Sequence, residues 1–202
     1  MSDYIKRLRR LGLIFMAMVL LHGSAVSQES APAKMRWDLS AFFSVETGEE
    51  LTNSFGEAQS VSAGFFAGKT LTREIGSGWS RGRIEYAFSV SPLFLQIRPQ
   101  RLHGIAFEPV IFRWNSNHAL RRAVPYVQLS GGAVRTNLNL PAGDTSKFNF
   151  SAKGGGGIYI PAHRRNAIDL GMFWSHISNA NLGVRNPEFN GIEVRVAYHW
   201  FR

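Results

Sequence analysis

Cysteine is absent from all 202 residues. That excludes a disulfide framework and a thiolate metal site. Beyond the N-terminal region, no stretch has the roughly 20 apolar residues that a spanning helix needs. No repeat of roughly 20–50 residues, low-complexity tail or second domain is visible. Charged residues are few, 18% of the chain, with a net charge of +9. A basic balance would suit nucleic acid, but export and a barrel pattern, developed below, argue against that partner.

The first 27 residues have the form of an export signal. Lys6, Arg7, Arg9 and Arg10 make a basic start, and Leu11 to Leu21 is an apolar run broken only by Gly12. Ala25-Val26-Ser27 offers the small residues that a signal peptidase reads. The run is too short to cross about 30 Å of hydrocarbon as a helix. Cleavage is expected just before Gln28, leaving one domain over 28–202. Four basic residues and Asp3 leave with the signal, so the net charge falls to about +6.

Against this sparse background stand 15 Phe, 5 Trp and 5 Tyr. The chain after residue 35 alternates with period 2 in eight segments, about 36–47, 60–73, 79–91, 103–114, 124–136, 147–160, 165–178 and 191–201. In the first, Trp37, Leu39, Ala41, Phe43 and Val45 share a face. In the fourth, Ile105, Phe107, Pro109 and Ile111 stand opposite Glu108. In the seventh, Ile168, Leu170, Met172 and Trp174 form the stripe, and in the eighth Ile192, Val194, Val196, Tyr198 and Trp200 do.

An even number of strands of about ten residues, each with one apolar and one polar face, predicts an all-β, eight-stranded antiparallel transmembrane β-barrel of the bacterial outer membrane. A soluble sandwich would favour strands nearer five or six residues. Arg81, Arg83, Glu85, Glu108 and Arg195 are then expected to line a polar interior as ion pairs. Connections 74–78 and 161–164 are short, 115–123 intermediate, and 48–59, 92–102, 137–146 and 179–190 longer. Short turns of such barrels face the periplasm, so both termini are expected there and the end of strand seven at the outer rim.

At that end lies Trp174-Ser175-His176-Ile177-Ser178-Asn179-Ala180, followed by Asn186-Pro187 and Asn190. Residues two apart in a strand share a face, so His176 and Ser178 project together. A serine hydroxyl becomes a useful nucleophile when a neighbouring base takes its proton. By parity both follow the apolar stripe toward lipid. The bland alternative is that the stripe has ended and both sit in headgroup water.

His-x-Ser-Asn-Ala followed by Asn-Pro resembles the PagL-type lipid A 3-O-deacylases and the related acyloxyacyl hydrolase-like outer membrane proteins. The resemblance is specific over 173–190 and extends as a strand pattern over 36–202. It implies an outer membrane serine esterase that removes the 3-O-linked acyl chain of lipid A, with Ser178 as nucleophile and His176 as general base. Asn179 and Asn186 stand at motif positions suited to oxyanion donors. No cofactor or metal is implied. The implied partners are lipopolysaccharide and outer membrane lipid, and both a monomer and a homodimer remain open.

Family enzymes carry a glutamate that orients the histidine. Counted without gaps, that position holds Asn190; a gapped match selects Glu193, and Glu188 is a third choice. Even-numbered residues on strands seven and eight point the same way, which favours Asn190 and sends Glu193 inward unless a bulge intervenes. An amide can hold a histidine tautomer, as in cysteine–histidine–asparagine proteases.

Other residues fit less well. Asp169 is about 23 Å from His176 along the strand and has inward parity, and His199 lies near the opposite boundary. His103, His118 and His163 have no metal-ligand spacing. Gly154-Gly155-Gly156-Gly157 lacks the helix of a phosphate loop; Gly154 and Gly156, outward beside strand seven, suggest a shallow acyl groove. Arg98, Arg101, Arg135, Lys147 and Arg185 suit lipid A phosphates or plain solvated charge. The competing functional class is a non-catalytic small barrel with a structural, adhesion or amphiphile-binding role.

Overall fold

The computed structural model describes residues 37–48, 58–120, 122–141, 145–162 and 165–202. The expected export segment and His163 lie outside the described residues. Eight antiparallel strands close in sequence order: β1 (Trp37–Gly48), β2 (Gln59–Thr70), β3 (Gly82–Arg98), β4 (Leu102–Ser116), β5 (Val124–Leu140), β6 (Ser146–Pro161), β7 (Asn166–Ser178) and β8 (Phe189–Phe201). Closure comes from β1 pairing with β8, register Asp38↔Phe201 to Gly48↔Gly191. Trp37 and Arg202 exchange both backbone hydrogen bonds at 2.9 Å. The two ends of the described chain therefore meet at one end of the barrel, and Ser178 closes β7 at the other.

Alternation decides which way each side chain points. Phe43, Phe65, Phe88, Leu129, Met172 and Val194 are exposed on the outer wall. A wall this apolar is suited to hydrocarbon. Near the terminal end, Trp37, Tyr86 and Tyr198 are exposed, Trp200 lies beside Tyr198, and the Lys69 ammonium sits 5.2 Å over the Trp37 ring. Amphipathic rings and lysines of this kind anchor a barrel at a membrane interface.

Two prolines correct the simple alternation. Pro109 lacks an N–H, so the β4 ladder breaks there and gains one residue against both neighbours. Phe107 and Val110 both face out, and Ile111, expected on the outer stripe, is fully buried. The Tyr86 hydroxyl donates to the Pro109 carbonyl at 2.7 Å. Pro92 makes the matching irregularity in β3, between Ser91 and Phe94. Beyond it the outward stripe resumes as Leu93 and Ile97. The strand thus runs to Arg98, where the sequence pattern suggested a long connection.

The expected alternation of short and long connections is accordingly corrected. Only 99–101 joins β3 to β4, and 141–145 joins β5 to β6, because these hairpins extend as strand. At the other end, 71–81 is a longer connection with a 3₁₀ turn at Gly78–Ser80. Arg81 and Arg83, expected inside, pair with Glu74 of this connection. Desolvation would raise the Glu74 carboxyl, but the two guanidiniums hold it below its ordinary value.

The interior holds packed polar groups. Arg113, brought inward by the Pro109 bulge, donates to Gln128 at 2.7 Å, to Asp38 at 3.4 Å and to the Tyr159 hydroxyl. Its guanidinium lies 4.3 Å from the Phe66 ring centre. His199 lies between Asp38, at 2.6 Å, and Asp169, at 3.4 Å. Toward the other end, Lys153 bridges Glu108 at 2.9 Å and Glu193 at 2.6 Å. Beside it a cavity of about 20 Å³ is lined by Glu46, Ser151 and Arg195, enough for one water. Removing one partner of a buried charge network typically costs about 3–5 kcal/mol. Arg113→Ala should lower stability by that order, measured as an earlier urea midpoint of tryptophan fluorescence in detergent micelles.

Candidate active site

Register brings the site together. In the β7–β8 ladder His176 is directly opposite Asn190, and in the β6–β7 ladder Ser178 is opposite Phe150. Directly opposed side chains on one face lie about 4.5–5.5 Å apart at Cβ, near enough for a hydrogen bond. His176 Nδ1 lies 2.8 Å from Asn190 Oδ1, and His176 Nε2 lies 3.1 Å from Ser178 Oγ. Three polar side chains thus form one chain on the outer face. Asn190 is buried, while His176 and Ser178 are partly exposed.

The proton positions follow from donor and acceptor inventory. With the Asn190 carbonyl oxygen facing Nδ1, that nitrogen carries the proton. Nε2 then presents its lone pair to the Ser178 hydroxyl, the tautomer a general base requires. Trp174 stacks on His176 with ring centres 5.9 Å apart and planes inclined by 19°. The imidazole is thus fixed by a hydrogen bond at one nitrogen and an indole against one face.

Glu193 does not join this chain. It is buried inside and accepts from Lys153. The β7–β8 ladder is regular from Asn166 to Ile177, so no bulge turns Glu193 outward. Asn190 sits within β8, which begins two residues before the expected start. Glu188 immediately precedes β8 and is partly buried. Asp169 and His199 belong to the interior at the terminal end.

Asn179 and Asn186 shape the loop after Ser178. The Asn179 N–H donates to Asn186 Oδ1 at 2.9 Å, and Asn179 Nδ2 donates to the Arg185 carbonyl at 2.8 Å. The Asn186 oxygen must face a backbone N–H, which leaves its amino group as the remaining donor. Ala180 and Asn181 follow with φ of 48° and 64°, and the Leu182 N–H closes the turn on the Asn179 carbonyl at 2.9 Å. Asparagine tolerates this left-handed region; alanine there costs roughly 1 kcal/mol. The strain stands two residues from Ser178 and is held by the Asn179–Asn186–Arg185 bonds. Gly183 packs so closely on the Thr145 backbone that a Cβ would approach within 2.8 Å. The loop is thereby braced against the β5–β6 connection.

A shallow bay lies beside the histidine. At its level the cross-strand neighbours are Gly131, Ala152, His176 and Asn190 in turn. Ala133 and Gly154 flank Gly131 and Ala152 on the same face. A Cβ at Gly131 would meet nothing within 4 Å, and one at Gly154 would meet only Leu129 Cδ2, at 3.2 Å. Gly156 differs: its Cβ would approach the Tyr126 carbonyl oxygen at 2.5 Å, so close backbone packing accounts for it. The bay spans β5 and β6, and Gly131, Ala133 and Ala152 escaped the sequence reading. Their signal is a gap in an otherwise bulky outward stripe, legible only once strands five and six are in register.

Known structures share the architecture. The outer membrane enzyme PagL superposes with a TM-score of 0.55 at 13% identity, covering 79% of this chain and 97% of that one. Neisserial surface protein A gives 0.57 at 12% identity, covering 83% and 97%. These likenesses show the fold, a small closed outer membrane barrel. No curated protein matches the sequence significantly. The model of the family described as lipid A 3-O-deacylase (PagL) matches residues 39–199, almost the whole barrel. This chain therefore belongs to the PagL lipid A 3-O-deacylase family and is a bacterial outer membrane protein.

Proposed function

We propose that this barrel is a serine esterase that removes the 3-O-linked acyl chain of lipid A, with Ser178 as nucleophile and His176 as general base. The observation that carries this reading is the Asn190–His176–Ser178 hydrogen-bond chain on the outer face. The Ser178 hydroxyl gives its proton to His176 Nε2 as its oxygen attacks the ester carbonyl. The resulting imidazolium returns that proton to the leaving sugar oxygen, and water then releases the fatty acid by the same route in reverse. The Asn186 amino group is the candidate donor to the oxyanion. Asn179, whose N–H and amino group are engaged, serves by holding the loop.

The lateral position suits the substrate. An acyl ester embedded in the leaflet approaches along the wall, with no need to enter the filled interior. The bay of Gly131, Ala133, Ala152 and Gly154, flanked by Leu129, Trp174 and Phe150, receives the departing chain. Substituting Gly154→Phe together with Gly131→Leu should raise KM at least about fivefold while leaving the fold intact by circular dichroism, since burying a few methylenes contributes about 0.8 kcal/mol each. Unchanged kinetics would remove the acyl-bay assignment.

Purified protein incubated with lipid A should release the 3-linked acyl chain, seen by mass spectrometry as loss of one fatty acid. Ser178→Ala should abolish the loss. An intact lipid A after verified folding would leave the non-catalytic or amphiphile-binding barrel. Asn190 is the residue that favours that second reading, because a neutral amide holds the tautomer but gives an imidazolium no opposing charge. Asn190→Asp supplies one in nearly the same shape. It is expected to raise kcat about tenfold or more and to move the acidic limb of the pH profile upward, because a carboxylate favours the charged imidazole and the base must be neutral to take the Ser178 proton. Asn190→Ala should lower kcat.

A further inference from the structure

The outer wall carries a cation in register with the site. Arg135 is exposed on β5 and has Ile105 and Phe148 as its cross-strand neighbours. It stands two residues beyond Ala133, which opposes Phe150, which in turn opposes Ser178. Arg135 and Ser178 therefore share one face, two strands apart. At about 4.8 Å per strand and 3.4 Å per residue, their backbones lie roughly 12 Å apart. Between them Phe148 and Phe150 form an edge-to-face pair with centres 5.3 Å apart.

The position of Arg135 in its stripe is informative. Val127 and Leu129 precede it outward on β5, then Gly131 and Ala133. An arginine facing hydrocarbon costs about 2–4 kcal/mol at the midplane and about 0–1 near the interface. Its place at the end of the apolar stripe sets the headgroup level on this side of the barrel. Among the described residues it has no carboxylate partner, and Lys147, beside Phe148, is also exposed. A guanidinium offers two parallel N–H donors to phosphate oxygens. The small-residue bay lies below, toward the apolar band.

We propose that Arg135 binds a phosphate of the lipid A sugar headgroup and so sets the ester over Ser178, with the acyl chain descending into the bay. The inference rests on the esterase reading for its substrate. It gives that reading a polarity: headgroup across β5 and β6 above the Phe148–Phe150 pair, ester at β7, chain below. Phosphate recognition thereby becomes a specificity determinant on the barrel wall, separate from the residues that do the chemistry.

Binding and turnover test it separately. The Ser178→Ala protein in an uncharged detergent is titrated with bis-phosphorylated lipid A and with phosphatase-treated lipid A. Removal of phosphate should weaken binding about tenfold, the scale of one charge-assisted contact. Adding Arg135→Ala should erase that preference and Arg135→Lys should keep part of it, with folding checked by circular dichroism. Persistence of the full preference in Arg135→Ala, or no preference at the outset, overturns the proposal. A third arm adds phosphatidylglycerol as competitor. Equal competition would make Arg135 a general membrane anchor and also overturn it. Hydrolysis by the unmutated serine protein is measured in parallel. If no acyl chain is released the esterase reading fails, while the binding comparison still decides Arg135.

Discussion

A backbone surrounded by hydrocarbon must satisfy every N–H and C=O within itself, and for a sheet this requires closure. The β1–β8 ladder supplies it, and the rest of the architecture follows. Once the sheet is closed, side chains have only two destinations, lipid or interior. The outward phenylalanines, leucines and valines fill the first. The second is filled by charges and amides, many of them paired with one another. The same closure gives the site its unusual address. Parity puts His176 and Ser178 on the wall, the face turned toward lipid.

Interior and wall are linked through the two prolines. Pro109 shifts the alternation of β4 by one residue, sending Arg113 into the barrel, where it meets Gln128, Asp38 and Tyr159. Without that shift the guanidinium would face lipid. Pro92 does the same in β3 and lets the strand extend with an apolar outer stripe. The long β3–β4 hairpin follows, and β5 and β6 form a hairpin of similar length. The β5–β6 hairpin supplies Thr145 as the support for Gly183, so a distant loop steadies the turn after Ser178.

The proposed chemistry depends on small tolerances. The imidazole is oriented by Asn190 from the next strand and by Trp174 from its own. The turn that follows is held with Ala180 in a left-handed conformation, and its cost is met by three hydrogen bonds around Asn179. This is where a strained segment is expected, since a fixed donor geometry beside the nucleophile is more useful than a relaxed one. Asn190 makes the orienting contact with His176 without carrying a charge.

The sequence by itself determined the class of fold, the number of strands and the face that most strand residues take, because period-2 alternation is a local property of the chain. It also gave the His176–Ser178 pair and, by parity alone, preferred Asn190 to Glu193. Strand ends and bulges were less legible. Pro92 interrupts a stripe that resumes one position later, and Pro109 reverses the facing of Ile111, so a rule of strict alternation fails at both. Only the tertiary structure decided the register, which is a non-local quantity joining residues on different strands. It put Asn190 opposite His176, turned Asn179 and Asn186 into braces for the loop, and gathered Gly131, Ala152 and Gly154 into one bay. It also placed Arg135 two strands from Ser178. Gly154 apart, none of these has a signature within a single strand, because each arises when separate strands meet.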